Sequence, residues 1–242
     1  MIPNPGHGRR WALLALAIAA LGSATACSRE LPFSLLREHH GLYIREGDTK
    51  PYSGQAADRY PGGNLKAQAS FRNGKMSGVC RRWHQNGRLH EKIGFADGEL
   101  HGRQLRWFAS GRICLRGEFR HGRMSGAWRT WNENGVISQE RGYQDGEAHG
   151  LWREWFANGR IRSLRRFNRG AYAGLQSEWH ENGKLRFQAT AWGEQCDGPW
   201  RKWHADGSPR LFGQWRQGRL DGRWIERDGR GRRIEETLYD LG

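Results

Sequence analysis

The side chains best able to do chemistry in this 242-residue chain are three phased histidines, three cysteines beyond the N-terminal region, scattered acids, and recurring arginines and tryptophans. His84, His180 and His204 each follow a tryptophan, a placement open to metal ligands. Their spacing argues against a shared metal, and they read as decoration of the repeat. His180 and His204 are 24 residues apart, and if one β-hairpin lies between them they stand about 10 Å apart, against about 2 Å from each ligand to a shared metal. Glu133, Glu154 and Glu178 are isolated among arginines, and the chain contains no Gly-x-Ser-x-Gly, His-Glu-x-x-His or phosphate loop. The expectation is a non-catalytic protein without metal or cofactor. Cys80, Cys114 and Cys196 are odd in number and occupy three different repeat phases. Two strands separate Cys80 from Cys114, putting the sulfurs about 14 Å apart and out of bridging range. Cys80 reads as a small apolar filler.

Recognition by charge and aromatic surface remains. The formal net charge is +15, a steering field for polyanions or acidic proteins. Arg81, Arg129, Arg153 and Arg201 recur in one phase, and Arg88, Arg112, Arg160, Lys184 and Arg232 in another. Trp83, Trp107, Trp131, Trp155, Trp179 and Trp203 recur beside them every 24 residues. Arginine stacks on aromatic faces, and tryptophan dominates binding hot spots. The candidate binding residues are therefore these six tryptophans with Arg81, Arg88, Arg129, Arg153, Arg160 and Arg201. Each stripe also has a structural reading. Arginine keeps exposed strands soluble and apart, and tandem duplication copies any residue into every unit. The tryptophans would then form a ladder in which each ring packs on the next repeat, and an exposed remainder would be the binding surface.

The elements that position these side chains follow from the glycines. Gly78, Gly102, Gly126, Gly150, Gly174, Gly198 and Gly222 fall 24 residues apart, and Gly87, Gly111, Gly135, Gly159, Gly183, Gly207 and Gly231 follow each by nine. This is a repeat array. Asn86-Gly87, Asn134-Gly135, Asn158-Gly159 and Asn182-Gly183 predict two-residue type I′ turns, so each period is a β-hairpin. Asn73-Gly74, Asp97-Gly98, Asp145-Gly146 and Gln217-Gly218 supply a second turn per unit. The fold class is all-β: an elongated antiparallel meander of tandem 24-residue hairpins, advancing about 10 Å per unit. With Asn86-Gly87 central in the turn, residue 83 faces 90 and 80 faces 93. Trp83 then shares a face with Arg81 and Arg88. The other face carries Trp128, Trp152, Trp200 and Trp224 with Leu89, Ile93 and Phe95. Gln104 and Gln176 interrupt that second aromatic phase, and Ser208-Pro209-Arg210-Leu211 is expected to disturb its strand.

The pattern Gly-x-Trp-x-x-Trp-x-x-Asn-Gly, then Ile and an aromatic-x-x-Gly, over Gly126 to Gly146 and Gly150 to Gly170, resembles the bacterial variant of the MORN (membrane occupation and recognition nexus) repeat. Gly41-Leu42-Tyr43-Ile44 and Lys50-Pro51-Tyr52-Ser53-Gly54 resemble the lead-in of YwqK-type antitoxins, into which bacterial proteins of this kind are grouped. The resemblance spans about Gly41 to Gly231. It implies MORN-like hairpins, binding to proteins or phospholipids, and neutralisation of a toxin.

Arg9 and Arg10, the apolar run Trp11 to Leu21 and Ala24-Thr25-Ala26 before Cys27 have the order of an export signal. Eleven apolar residues are too few to span a bilayer as a helix. Cleavage before Cys27 is either an ordinary Ala-x-Ala site or one resembling the bacterial lipoprotein site, with Cys27 lipidated; the second explains a cysteine placed at the cut. Ser28 then favours the outer membrane, facing the periplasm. Losing Arg9 and Arg10 lowers the net charge from +15 to +13. The expected organisation is a signal peptide over 1–26, a tether and lead-in over 27–50, the repeat array over 51–235 and a tail over 236–242. The expected function is a monomer that binds a protein, with a toxin as the implied case. The alternative is anionic envelope lipid or polysaccharide. Nucleic acid suits the charge but not an exported chain.

Overall fold

A computed structural model describes residues 30–240. The signal peptide and Cys27 lie outside the described residues. The described chain is all β apart from one 3-10 turn, Phe33–Leu35, and forms an antiparallel meander of 24-residue hairpins. It divides into two compact units, one ending at Ser125 and the other beginning at Gly126.

In the first unit, Gly54–Arg59 pairs with Leu65–Arg72, which pairs with Gly78–Trp83. Leu89–Ala96, Glu99–Trp107 and Ile113–Arg120 follow in order. In the second unit, residues 126–131 pair with Ile137–Gln144, and every later strand pairs with its predecessor up to Arg233–Tyr239. That final strand runs four residues past the expected end of the array, with Tyr239 opposite Gly222. The lead-in is folded from Glu30 onward. Glu30–Leu31 pairs in parallel with Gln55 and Ala56, and Leu36–His39 forms a hairpin with Leu42–Arg45.

Both turn classes form, but their types are exchanged relative to expectation. At Asn86-Gly87 only the glycine has positive φ, 81°. Gly87 N donates to His84 O and His84 N to Arg88 O, which is the longer hairpin loop built on a type I turn with a bulged glycine. Asn86 serves this loop through its side chain: Oδ1 accepts from Arg88 N (3.1 Å) and Nδ2 donates to Ala109 O in the next repeat (2.9 Å). The type I′ turns lie at the other linker, where Asn73-Gly74, Asp97-Gly98 and Asp145-Gly146 have both residues at positive φ. Gly193-Glu194 departs from these, with positive φ at Gly193 alone, as a type II′ turn requires.

The exchange corrects the register. Cys80 faces Ile93 as expected, but Trp83 faces Leu89, His90 is the extra residue of a bulge, and Glu91 faces Arg82. Directly opposed residues share a face, so Leu89 joins the tryptophan face. The Pro209 strand is not broken. Pro209 is the first residue of Pro209–Arg216, opposite Trp203, where proline is tolerated.

The opposite face is the core. In the first unit it buries Ala56, Ala69, Phe71, Cys80, Ile93, Phe95 and Leu115. In the second unit, rings from two phases interleave across the strands. Tyr143 lies 5.5 Å from Trp152, which lies 4.5 Å from Phe167; further on, Trp200, Trp215 and Trp224 follow at 5.9 and 6.1 Å. A single sheet has no second layer, and this stacking replaces it.

Candidate functional site

The six phased tryptophans are not the ladder. All are half-buried, and among the described residues only Trp203 makes a ring contact, with Phe212 at 5.6 Å. Their backbone carbonyls join neighbouring repeats instead. Tyr60 Oη donates to Trp83 O (2.9 Å), and the ring N–H of His84 and of His180 donates to Trp107 O (2.9 Å) and Trp203 O (3.0 Å). The phased histidines thus tie one hairpin tip to the next. Among the described residues no cluster of three or more His, Cys, Asp or Glu side chains is placed to hold a metal ion, and Cys80, Cys114 and Cys196 are free thiols.

The arginine phases separate into two roles. Arg88 Nη1 donates to Ser110 O (2.5 Å) and Ala109 O (3.3 Å), and Arg160 Nη1 to Glu181 O (3.3 Å). These guanidiniums satisfy turn carbonyls of the following repeat, as Lys184 does for Asp206 O. In the other phase, Arg129 and Arg153 lie on the two strands flanking Glu140 and share its carboxylate at 2.6 and 2.9 Å. Burial pushes the Glu140 carboxyl up, but the hydrogen bonds and charges of Arg129 and Arg153 outweigh it and hold the group below its ordinary value. Arg81 and Arg201 make no ion pair among the described residues, and Arg201 is exposed. Net positive surface therefore concentrates where the acid is missing.

In the second unit the tryptophan face carries a feature that phase reasoning passed over. Ala173, Leu175 and Ser177 alternate along one strand and meet Trp192, Thr190 and Gln188 across a regular pairing. Trp192 is 59 % exposed and Leu175 53 %. The equivalent positions of Trp192 in other repeats are Arg72, Ala96, Arg120, Gln144, Asn168 and Arg216. The signal in the sequence was a tryptophan out of step, which duplication did not copy. The ring lies beside Gly174, 3.8 Å from where a Cβ would stand. Trp179, further along the same strand, extends the surface.

The family described as MORN repeat variant matches residues 173–191. The match covers one hairpin, from the strand that carries Leu175 to the strand that leads to Trp192. No curated protein matches the chain. A MORN repeat variant is therefore present in this chain, in the unit that exposes the off-phase tryptophan.

Proposed function

We propose that the chain is an exported, non-catalytic binding protein that holds a protein partner on its tryptophan face, with Trp192 and Leu175 as the anchor and the phased arginines as a charged surround. MORN repeats are often involved in binding and are not a typical enzyme family. The observation that carries the reading is the exposed, unduplicated Trp192 beside Leu175. A contiguous exposed apolar patch on a strongly basic surface marks an interaction site, and aromatic anchors dominate such sites. The YwqK-type resemblance makes a toxin the partner class to try first. Cys27 is the proposed lipid anchor at the outer membrane.

The test is binding of a partner captured with the full chain, measured against salt and substitution. A protein partner loses about 2 kcal/mol or more on Trp192→Ala, and salt slows association more than it weakens final affinity. Steep continuous weakening with salt, insensitive to Trp192 and proportional to the number of arginines removed, would instead support an anionic envelope surface.

A further inference from the structure

On the tryptophan face of the first unit, Arg81, Lys92, Leu105 and Arg116 stand opposite one another in turn on four consecutive strands. Opposed residues share a face, so the four form one row across three strand steps, about 14 Å. Arg116 is exposed and the other three are half-buried. The row opens unfavourably. Arg81 faces Lys92, and like charges directly opposite destabilise a sheet.

The second unit shows what this row lacks. Glu140 occupies the repeat phase of Lys92 and Arg116, stands opposite both Arg129 and Arg153, and takes both guanidiniums on its carboxylate at 2.6 and 2.9 Å. In the first unit a lysine stands in that place. The nearest acids of the face are already engaged. Glu30 accepts from Gln68 (2.5 Å), the residue opposite Arg81, and pairs with Arg59 (3.8 Å); Glu118 pairs with Arg120 (3.2 Å). Arg81, Lys92 and Arg116 have no hydrogen bond or ion pair among the described residues. Because Arg81 and Lys92 are half-buried, a carboxylate must project into the row to reach them, as the Glu140 side chain does, whereas a flat layer of headgroups meets Arg116 first. Leu105 adds an apolar step between the cations.

We propose that the protein partner lays an acidic segment along this row, its carboxylates taking the place that Glu140 holds in the second unit. The inference rests on the reading that the partner is a protein, and it names what that partner carries.

The probe is a fluorescent peptide, Gly-Glu-Glu-Leu-Glu-Gly, titrated into the full chain at low salt, where exposed charges are least screened. It binds about tenfold more tightly than its glutamine form, and Arg81→Gln and Lys92→Gln each weaken it about threefold. Lys92→Glu, which copies Glu140, abolishes peptide binding and raises the melting temperature. Arg186→Glu makes the same change in net charge on an exposed site of the second unit and does neither. Trp192→Ala leaves peptide affinity unchanged, so a failed row and a failed Trp192 anchor are separately visible. The two glutamine variants keep the proposal testable if Lys92→Glu does not fold. Equal binding of the glutamine peptide, equal effects of Lys92→Glu and Arg186→Glu, or a folded Lys92→Glu protein no more stable than the native chain would each overturn it. Phosphatidylglycerol vesicles that bind the native chain and are lost on Lys92→Glu but not on Arg186→Glu would assign the row to a membrane and overturn it as well.

Discussion

Trp152→Ala and Trp155→Ala remove the same side chain three residues apart, on opposite faces of one strand, and should differ sharply in cost. The Trp152 ring lies between Tyr143 and Phe167 at 5.5 and 4.5 Å, its Nε1 donates to Gly142 O (2.9 Å), and the Arg141 guanidinium stands 4.7 Å above it. Two ring pairs contribute about 2 kcal/mol beyond burial, the hydrogen bond about 1 and the cation about 0.5. With about 1–2 kcal/mol for lost burial of a ring that is only half covered, the total is about 5 kcal/mol, at the top of the range for removing a large aromatic from a core. Trp155 is equally half-buried but makes no ring contact among the described residues, so its cost is burial alone, about 1–2 kcal/mol. Urea denaturation of the full chain, followed by circular dichroism, measures both. A difference of about 2 kcal/mol or more supports the assignment of the ladder to the Trp152 phase. Equal costs, or a larger loss for Trp155, would refute it.

Three further outcomes follow from the geometry. Gly142→Ala would place a methyl 2.1 Å from His149 O; the backbone must shift, and stability should fall by about 3 kcal/mol in the same urea assay, so a neutral result contradicts the close approach of the two strands at Gly142 and His149. The Glu140 carboxyl is held below its ordinary value, so its contribution is present above the unfolded value, about 4.3, and is lost as pH falls through the folded value. The stability gap between the native chain and Glu140→Gln should therefore be constant near neutrality and shrink on acidification, and a gap that widens in acid would show that the two arginines do not stabilise the carboxylate. Burial pushes the Cys80 thiol up to about 11, which leaves about one thiolate per thousand molecules at pH 8. Alkylation in the native state, mapped by peptide mass spectrometry, should reach Cys80 more slowly than Cys114 or Cys196, and Cys80 reacting first would contradict its burial.

The period, the hairpins and the separation of Cys80 and Ile93 from Trp83 were legible because glycines and alternation report local backbone geometry. Turn type was not. Asn-Gly and Asp-Gly occur at both linkers, and the longer loop of Asn86-Gly87 also forms at Ser110-Gly111 and Arg230-Gly231, so the turn dipeptide does not by itself set the loop length. The single-residue bulge at His90 follows from that loop and moves Leu89 to the other face. The tryptophan ladder is expected in the more regular phase, but the contacts that phase makes to the next hairpin tip run through backbone carbonyls, which any residue can supply, since Arg227 O accepts from His204 in the same way at 3.1 Å. Trp192 carries no periodic signal, because its position holds unrelated residues in the other repeats. The packing of the lead-in on Phe71, with Phe33 and Tyr43 edge-on to its ring at 6.1 and 4.9 Å, joins segments that no local pattern links.

The central claim is that a protein docks on the tryptophan face at Trp192. A photoreactive p-benzoylphenylalanine placed at position 192, and separately at Lys202 on the core face, tests it in intact cells by irradiation and identification of the adducts. One discrete protein adduct is expected from position 192 and none of that kind from position 202. Adducts of the same kind and yield from both positions, or only lipid and polysaccharide captured at 192, would contradict it.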